Sequence, residues 1–205
     1  MRTAGLVIST MLGFACRLSA QEPNRVDFSI SGAGVFSKTS SSNNGSVTDA
    51  PTKSVEYIVS VRYHFASKHA VEVNVGHTIN SQIFTVSSDS FRVISSITEF
   101  SGAYVFSPSS RKKLQPFVFA GGGALRFSPG NTYIDTFPAS FGAAQQTSLA
   151  FLYGGGADYH FWRKLAVRLG YRGLIYKVPD FNLPFLFTGA KGHLAEPTAG
   201  IVVKF

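Results

Sequence analysis

Between residues 55 and 65 the chain alternates strictly: Val55, Tyr57, Val59, Val61, Tyr63 and Phe65 interleave with Glu56, Ile58, Ser60, Arg62 and His64. A period of two puts successive side chains on opposite faces of a strand, so this segment predicts a strand with one apolar face and one mostly polar face. The pattern recurs. Phe28, Ile30, Gly32, Gly34 and Phe36 oppose Ser29, Ser31, Ala33 and Ser37 over about 27–38, and Val71, Val73 and Val75 oppose Glu72, Asn74, Gly76 and Thr78. A fourth strand starts somewhere in 91–98 and sets Phe100, Gly102, Tyr104 and Phe106 against Glu99, Ser101 and Ala103. Over 116–127 the apolar face is assigned Phe117, Phe119, Leu125 and Phe127, with Val118, Ala120, Gly122, Ala124 and Arg126 behind it. Over 148–161 Phe151, Tyr153, Tyr159 and Phe161 oppose Gly154, Gly156, Asp158 and His160. Leu165, Val167, Leu169, Tyr171 and Ile175 then oppose Arg168, Gly170 and Arg172, and the segment ending at Phe205 supplies an eighth strand. No comparable pattern has a helical period.

The connections alternate too. Those at 66–69, 107–113 and 162–164 are short, whereas 39–54, 79–92, 128–147 and 177–192 are long and rich in Ser, Asn, Gly, Pro and Thr. Aromatic residues gather at the short-turn end: Phe28, Tyr63, Phe65, Tyr104, Phe106, Phe117, Tyr159, Phe161, Trp162 and Phe205. Apolar faces on eight strands would be an aggregation hazard in an open sheet, but a closed barrel in lipid has no edge and buries that face in hydrocarbon. The expected fold is therefore all-β: an eight-stranded antiparallel up-and-down transmembrane β-barrel. Its short turns and both termini lie on the periplasmic side, with an aromatic belt at that interface.

The first twenty residues carry an early Arg2, an apolar run from Ala4 to Cys16 and Leu18-Ser19-Ala20 before Gln21, the layout of a secretory signal peptide. Residues 1–20 are assigned to that signal and 21–205 to one barrel. Cys16 is the sole cysteine, so the mature chain has no disulfide and no thiolate metal site. A lipoprotein role for Cys16 lacks a Leu three residues earlier, where Gly13 stands. Loss of Arg2 and Arg17 takes the formal charge from +8 to +6, because no acid leaves with them. The basic residues are scattered or sit in turns such as Arg111-Lys112-Lys113, which argues against a nucleic-acid surface. Charged residues make up only 15% of the chain, low for a soluble domain.

The inward-facing positions hold Glu56, Glu72, Glu99, Asp158 and Glu196 with Arg62, Arg126, Arg168 and Arg172. Unpaired charge sealed in a narrow barrel is costly, so a network is expected. A tight turn at 162–164 sets Asp158 opposite Arg168 and Gly154 opposite Arg172, and the 107–113 turn sets Glu99 near Gly122. Eight strands enclose only enough room for side chains, so the lumen is expected to be filled.

Neither Gly121-Gly122-Gly123-Ala124 nor Gly154-Gly155-Gly156-Ala157 lies in the strand–loop–helix setting of a phosphate loop; glycine here relieves close approach within a sheet. The five histidines lack zinc-ligand spacing, and no serine lies in a His-x-Ser motif. No catalytic, cofactor or metal site is assigned.

Thr198, Gly200, Val203 and Phe205 fill the defined positions of a pattern similar to the C-terminal signal of bacterial outer-membrane proteins. With the leader, the eight strands and that ending, residues 22–205 resemble small outer-membrane β-barrels of the OmpA/OmpX type. The resemblance implies secretion to the periplasm and engagement of the barrel assembly machinery through the last strand. It also implies a monomeric scaffold among outer-membrane lipids, with loops that contact surfaces, lipopolysaccharide or other proteins. Two rival functions are a narrow pore or transporter and a lipid-modifying enzyme of the outer membrane.

Overall fold

Alternation becomes register in the computed structural model, which describes residues 25–43, 45–108 and 113–205. The signal segment with Cys16, and Arg111-Lys112, lie outside the described residues. Eight long strands form the wall: β1 Val26–Ser37, β2 Ser54–Ala66, β3 His69–Val86, β4 Asp89–Phe106, β5 Leu114–Ile134, β6 Gln146–His160, β7 Leu165–Lys177 and β8 Lys191–Lys204. Each pairs antiparallel with its sequence neighbour, and β1 pairs with β8 from Asp27↔Lys204 to Ser37↔Leu194, which closes the barrel. No helix among the described residues is long and apolar enough to cross a membrane.

The outer wall is apolar where the period predicts it. Val55, Tyr57 and Val61 on β2, Val71, Val73 and Val75 on β3, Phe100 and Tyr104 on β4, and Leu169 and Ile201 on β7 and β8 are all exposed. A belt of Tyr63, Phe65, Tyr104, Tyr159, Phe161 and Trp162 surrounds the turn end, where the termini lie.

β5 reverses the expectation. Phe117, Phe119, Leu125 and Phe127 are buried in the lumen, while Val118 (57% exposed), Ala120 and Arg126 face outward. The parity assigned to this strand is therefore corrected by one residue, which removes Phe117 from the aromatic belt and Arg126 from the interior. The reason is volume: inward Gly121, Gly123, Gly154 and Gly156 leave room in the lumen that the two phenyl rings of β5 fill. Arg126 instead donates to Gln145 at the loop end (3.0 Å).

The long connections are also more ordered than their composition suggests. Residues 79–92, expected as a loop, continue β3 and β4 to a two-residue turn at Ser87-Ser88, where Val86 pairs with Asp89. Ser87 takes φ 57°, as such turns require. β5 likewise runs on to Ile134 within the expected 128–147 loop. These extensions leave the apolar-out pattern because their outer face rises into loops and water while Phe84 on the inner face packs into the mouth of the lumen, so their serines look like connection.

Candidate functional site in the barrel lumen

The inward residues build a column of three layers. At the turn end, register sets Arg62 opposite both Asp27 and Glu72, and Arg168 opposite Asp158. Arg168 makes a bidentate pair with Asp158 (Nε to Oδ1 2.7 Å, Nη2 to Oδ2 3.0 Å) and reaches Glu72 through Nη1 (3.0 Å). Arg62 donates through Nε to the same Glu72 oxygen (2.8 Å) and lies 3.5 Å from Asp158 Oδ2. Two guanidiniums and two carboxylates thus form a ring of charge, the arrangement in which a desolvated ion pair is best repaid. The Phe117 ring underlies both guanidiniums, 4.4 Å from Arg62 and 5.0 Å from Arg168. Asp27 Oδ2 accepts from His64 Nε2 (2.7 Å) just beneath.

The middle layer is unlike the first. Arg172 pairs with Glu99, and its Nη1 lies 3.5 Å from Glu196 Oε2. Glu56 completes a group whose carboxylate oxygens, with those of Glu99 and Glu196, all lie within 4.8 Å of one another. One guanidinium therefore answers three carboxylates, all buried. Glycine makes the layer possible at two points. A Cβ on Gly76 would overlap Glu56 Oε1, and one on Gly154, opposite Arg172, would overlap the Tyr171 carbonyl and come within 2.5 Å of Phe119.

The third layer, at the loop end, is apolar. Phe84, Leu125, Phe127, Leu152, Leu174, Phe181 and Leu186 are essentially inaccessible. Phe181 comes from the 178–190 connection, folds down into the mouth and meets Phe84 (6.2 Å) and Phe127 (6.4 Å) edge to face. Gln146 Oε1 accepts the N–H groups of both Asp180 and Phe181 (2.9 Å each), which pins this connection despite positive φ at Phe181 and Asn182. Beside it, outside the spanning region, burial pushes the Asp49 carboxyl up to about 8. Gln82 opposes that shift when its amide nitrogen faces Asp49 and donates to both oxygens (2.8 and 3.2 Å).

Of the nine charges expected inside, Glu56, Arg62, Glu72, Glu99, Asp158, Arg168, Arg172 and Glu196 are there and Arg126 is not. The Asp158–Arg168 and Gly154–Arg172 pairings stand, but Glu99 pairs with Leu125 while Gly122 lies opposite Gly102. Asp27 was missed although it shares parity with Ser29 and Ser31, a usable signal. Phe117 and Phe119 carried none that an aromatic-outside rule could catch. Each histidine has a hydrogen-bond partner: Asp27 for His64, Tyr104 for His69, Thr98 for His77, the Lys113 carbonyl for His160 and Tyr153 for His193. Thr198, Gly200 and Val203 lie on β8 in register with Ala33, Ser31 and Phe28, and Phe205 donates to the Val26 carbonyl (2.8 Å).

A void of about 30 Å³, the size of a water molecule, lies among Ser31, Ser60, Asn74 and the first-layer arginines. A larger recess of about 320 Å³ opens at the turn end between His64, His160, Arg163 and Lys204.

Residues 6–205 match the family model of the outer membrane protein beta-barrel domain. Neisserial surface protein A has a similar crystal structure (TM-score 0.57, 15% identity), with 90% of this chain and 100% of that one covered. The outer membrane protein OprG of Pseudomonas aeruginosa is also similar (TM-score 0.54, 16% identity, 89% and 97% covered). So is the N-terminal barrel of OprF from the same organism (TM-score 0.50, 12% identity, 90% and 100% covered). No curated protein matches the chain.

Proposed function

Because the chain belongs to the outer membrane protein beta-barrel domain family, we propose that it is a sealed structural barrel of the bacterial outer membrane that acts at the cell surface through its loops. The observation that carries this reading is the filled lumen: two charged layers and an aromatic one stand in series along the axis. Such a barrel presents two working surfaces, the lipid-facing wall and the connections at the loop end. The small hairpin at Ser40–Asp49, the β3–β4 extension and the Phe137–Pro138 hairpin of β5 stand together there. The acids lie in the lumen or near loop tips, so the outward histidines His77 and His193, which meet Thr98 and Tyr153, have no carboxylate behind them among the described residues, and in this reading the chain runs no reaction of its own.

Orientation is the testable part. Since Cys16 is the only native cysteine, single cysteines can be placed at Ser42 or Ala139 in the loops and at Ser67 in a short turn. On intact cells an impermeant maleimide should label the first two and spare the third. Labelling of Ser67→Cys alone would reverse the topology.

A further inference from the structure

The recess of about 320 Å³ at the turn end is the mouth of the lumen itself. Parity turns four of its lining residues inward: His64 follows Arg62, Gln115 precedes Phe117, His160 follows Asp158 and Lys204 follows Val202, each two positions from a buried lumen residue. Arg163 adds a guanidinium from the 162–164 turn. No acid lines this space among the described residues. Asp27, beneath it, is held by His64 (2.7 Å), and Asp158 by Arg168 (2.7 Å).

The cations of the recess are left without anions. Neither Arg163 nor Lys204 makes a salt bridge among the described residues, and Lys204 Nζ donates instead to the neutral Gln115 Oε1 (3.2 Å). His160 spends Nδ1 on the Lys113 carbonyl (3.3 Å), while its Nε2 is shielded from water with no partner among the described residues. The rim that carries these groups is fixed by backbone. His64, Ser107, His160 and Lys204 donate their N–H groups to the carbonyls of Arg25, Lys68, Lys113 and Lys164 (2.8, 2.8, 2.8 and 2.9 Å). The lining is thus held in place before any ligand arrives, which lowers the ordering cost of binding.

Pockets that hold small molecules begin at about 300 Å³, so this mouth exceeds the needs of a lone ion. A phosphate monoester carries close to two negative charges near neutral pH and three acceptor oxygens. Two permanent cations, a guanidinium fork and an ammonium, match that charge, with the hydroxyls of Ser67 and Ser107 beside them. A lipid phosphodiester brings one charge and matches less well. We propose that the turn-end mouth of the barrel binds the phosphate monoester of a small soluble molecule. The site stands at the end opposite the loops and is independent of what the loops bind.

The test titrates the full chain, folded in maltoside micelles at fixed ionic strength, with glycerol 3-phosphate and with inorganic phosphate by calorimetry. Both should bind the wild type. R163Q/K204Q should bind at least about tenfold more weakly, as expected for two charge-assisted hydrogen bonds at a half-open site. K68Q/K164Q removes the same charge from exposed turn residues outside the recess, and it should stay within about twofold of wild type. Heat-modifiable gel migration is read on every sample. Where R163Q/K204Q lacks it, R163Q alone, at an exposed turn residue, carries the comparison with a loss of at least about threefold. A wild type that ignores both soluble phosphates, or an equal loss in K68Q/K164Q, would overturn the site. A lipid arm counts phosphatidylglycerol retained per barrel by native mass spectrometry. Retention that depends on Arg163 and Lys204, in a wild type blind to the soluble phosphates, would make the headgroup the ligand and overturn the soluble source.

Discussion

Near the turn end of the lumen, Arg62 and Arg168 face Glu72 and Asp158, two cations with two anions, whereas one layer higher Arg172 alone faces Glu56, Glu99 and Glu196. Both layers are buried and both are built on the same alternation, yet they fail in opposite ways. In the balanced layer every side chain satisfies another, so losing any member strands a charge. In the surplus layer the single arginine carries the whole compensation and the acids compete for it. Removing the arginine should hurt more than any loss below, and removing one acid should help.

The largest expected effect is therefore Arg172→Met, which leaves three carboxylates facing one another. Removing one partner of a buried pair costs about 3–5 kcal/mol, and this change should reach or exceed the upper end, measured as the urea midpoint of heat-modifiable folded protein in vesicles. Arg168→Met should fall lower in that range, because Arg62 still faces Glu72 and Asp158. Equal midpoints for the two variants would erase the distinction between the layers. Next comes Phe117→Ala, about 3 kcal/mol for a buried ring, with a further loss from the two guanidiniums that rest on it. Phe117→Leu should recover most of the packing and little of the cation contact.

Smaller and opposite in sign is Glu56→Gln, which relieves like-charge repulsion and adds two amide donors beside Glu99 and Glu196. Stability should hold or rise by about 1 kcal/mol; a loss of that size would mean the surplus is compensated. The smallest effect concerns pH and the apolar layer above. Burial raises Asp49 to about 8, so the folded state disfavours its charged form. Stability from this group is complete below about pH 4, where the unfolded carboxyl is also protonated, and drains as pH climbs through 8. With the two Gln82 bonds offsetting most of that shift, the change between pH 5 and 9 should be about 1 kcal/mol, short of the ~4 kcal/mol that a full rise to 8 would give. Asp49→Asn should flatten it.

The same two layers show what the amino-acid pattern can and cannot reveal. Strands β2, β3, β7 and β8 were legible because both faces were marked, valine or aromatic outside and Arg, Glu or Asn inside, and a hairpin register follows once both partners are known. β5 had no such marking. Its outward positions Ala120, Gly122 and Ala124 are small and its inward ones include phenylalanine, so an apolar-outside rule inverts it. That inversion brought Arg126 inside and, with Asp27 left out, made the lumen look nearly neutral at five acids to four arginines. The true inventory is six acids to three arginines, which is how the surplus layer escaped notice. The third layer was illegible for another reason: Phe181 enters from a connection, and no periodicity reports where a connection folds.

All of this rests on an interior filled along its length, and electrical conductance of the purified, folded wild-type barrel in planar bilayers tests it most directly. The filled column predicts a flat baseline under applied voltage. Stable, discrete single-channel steps from that preparation would contradict it.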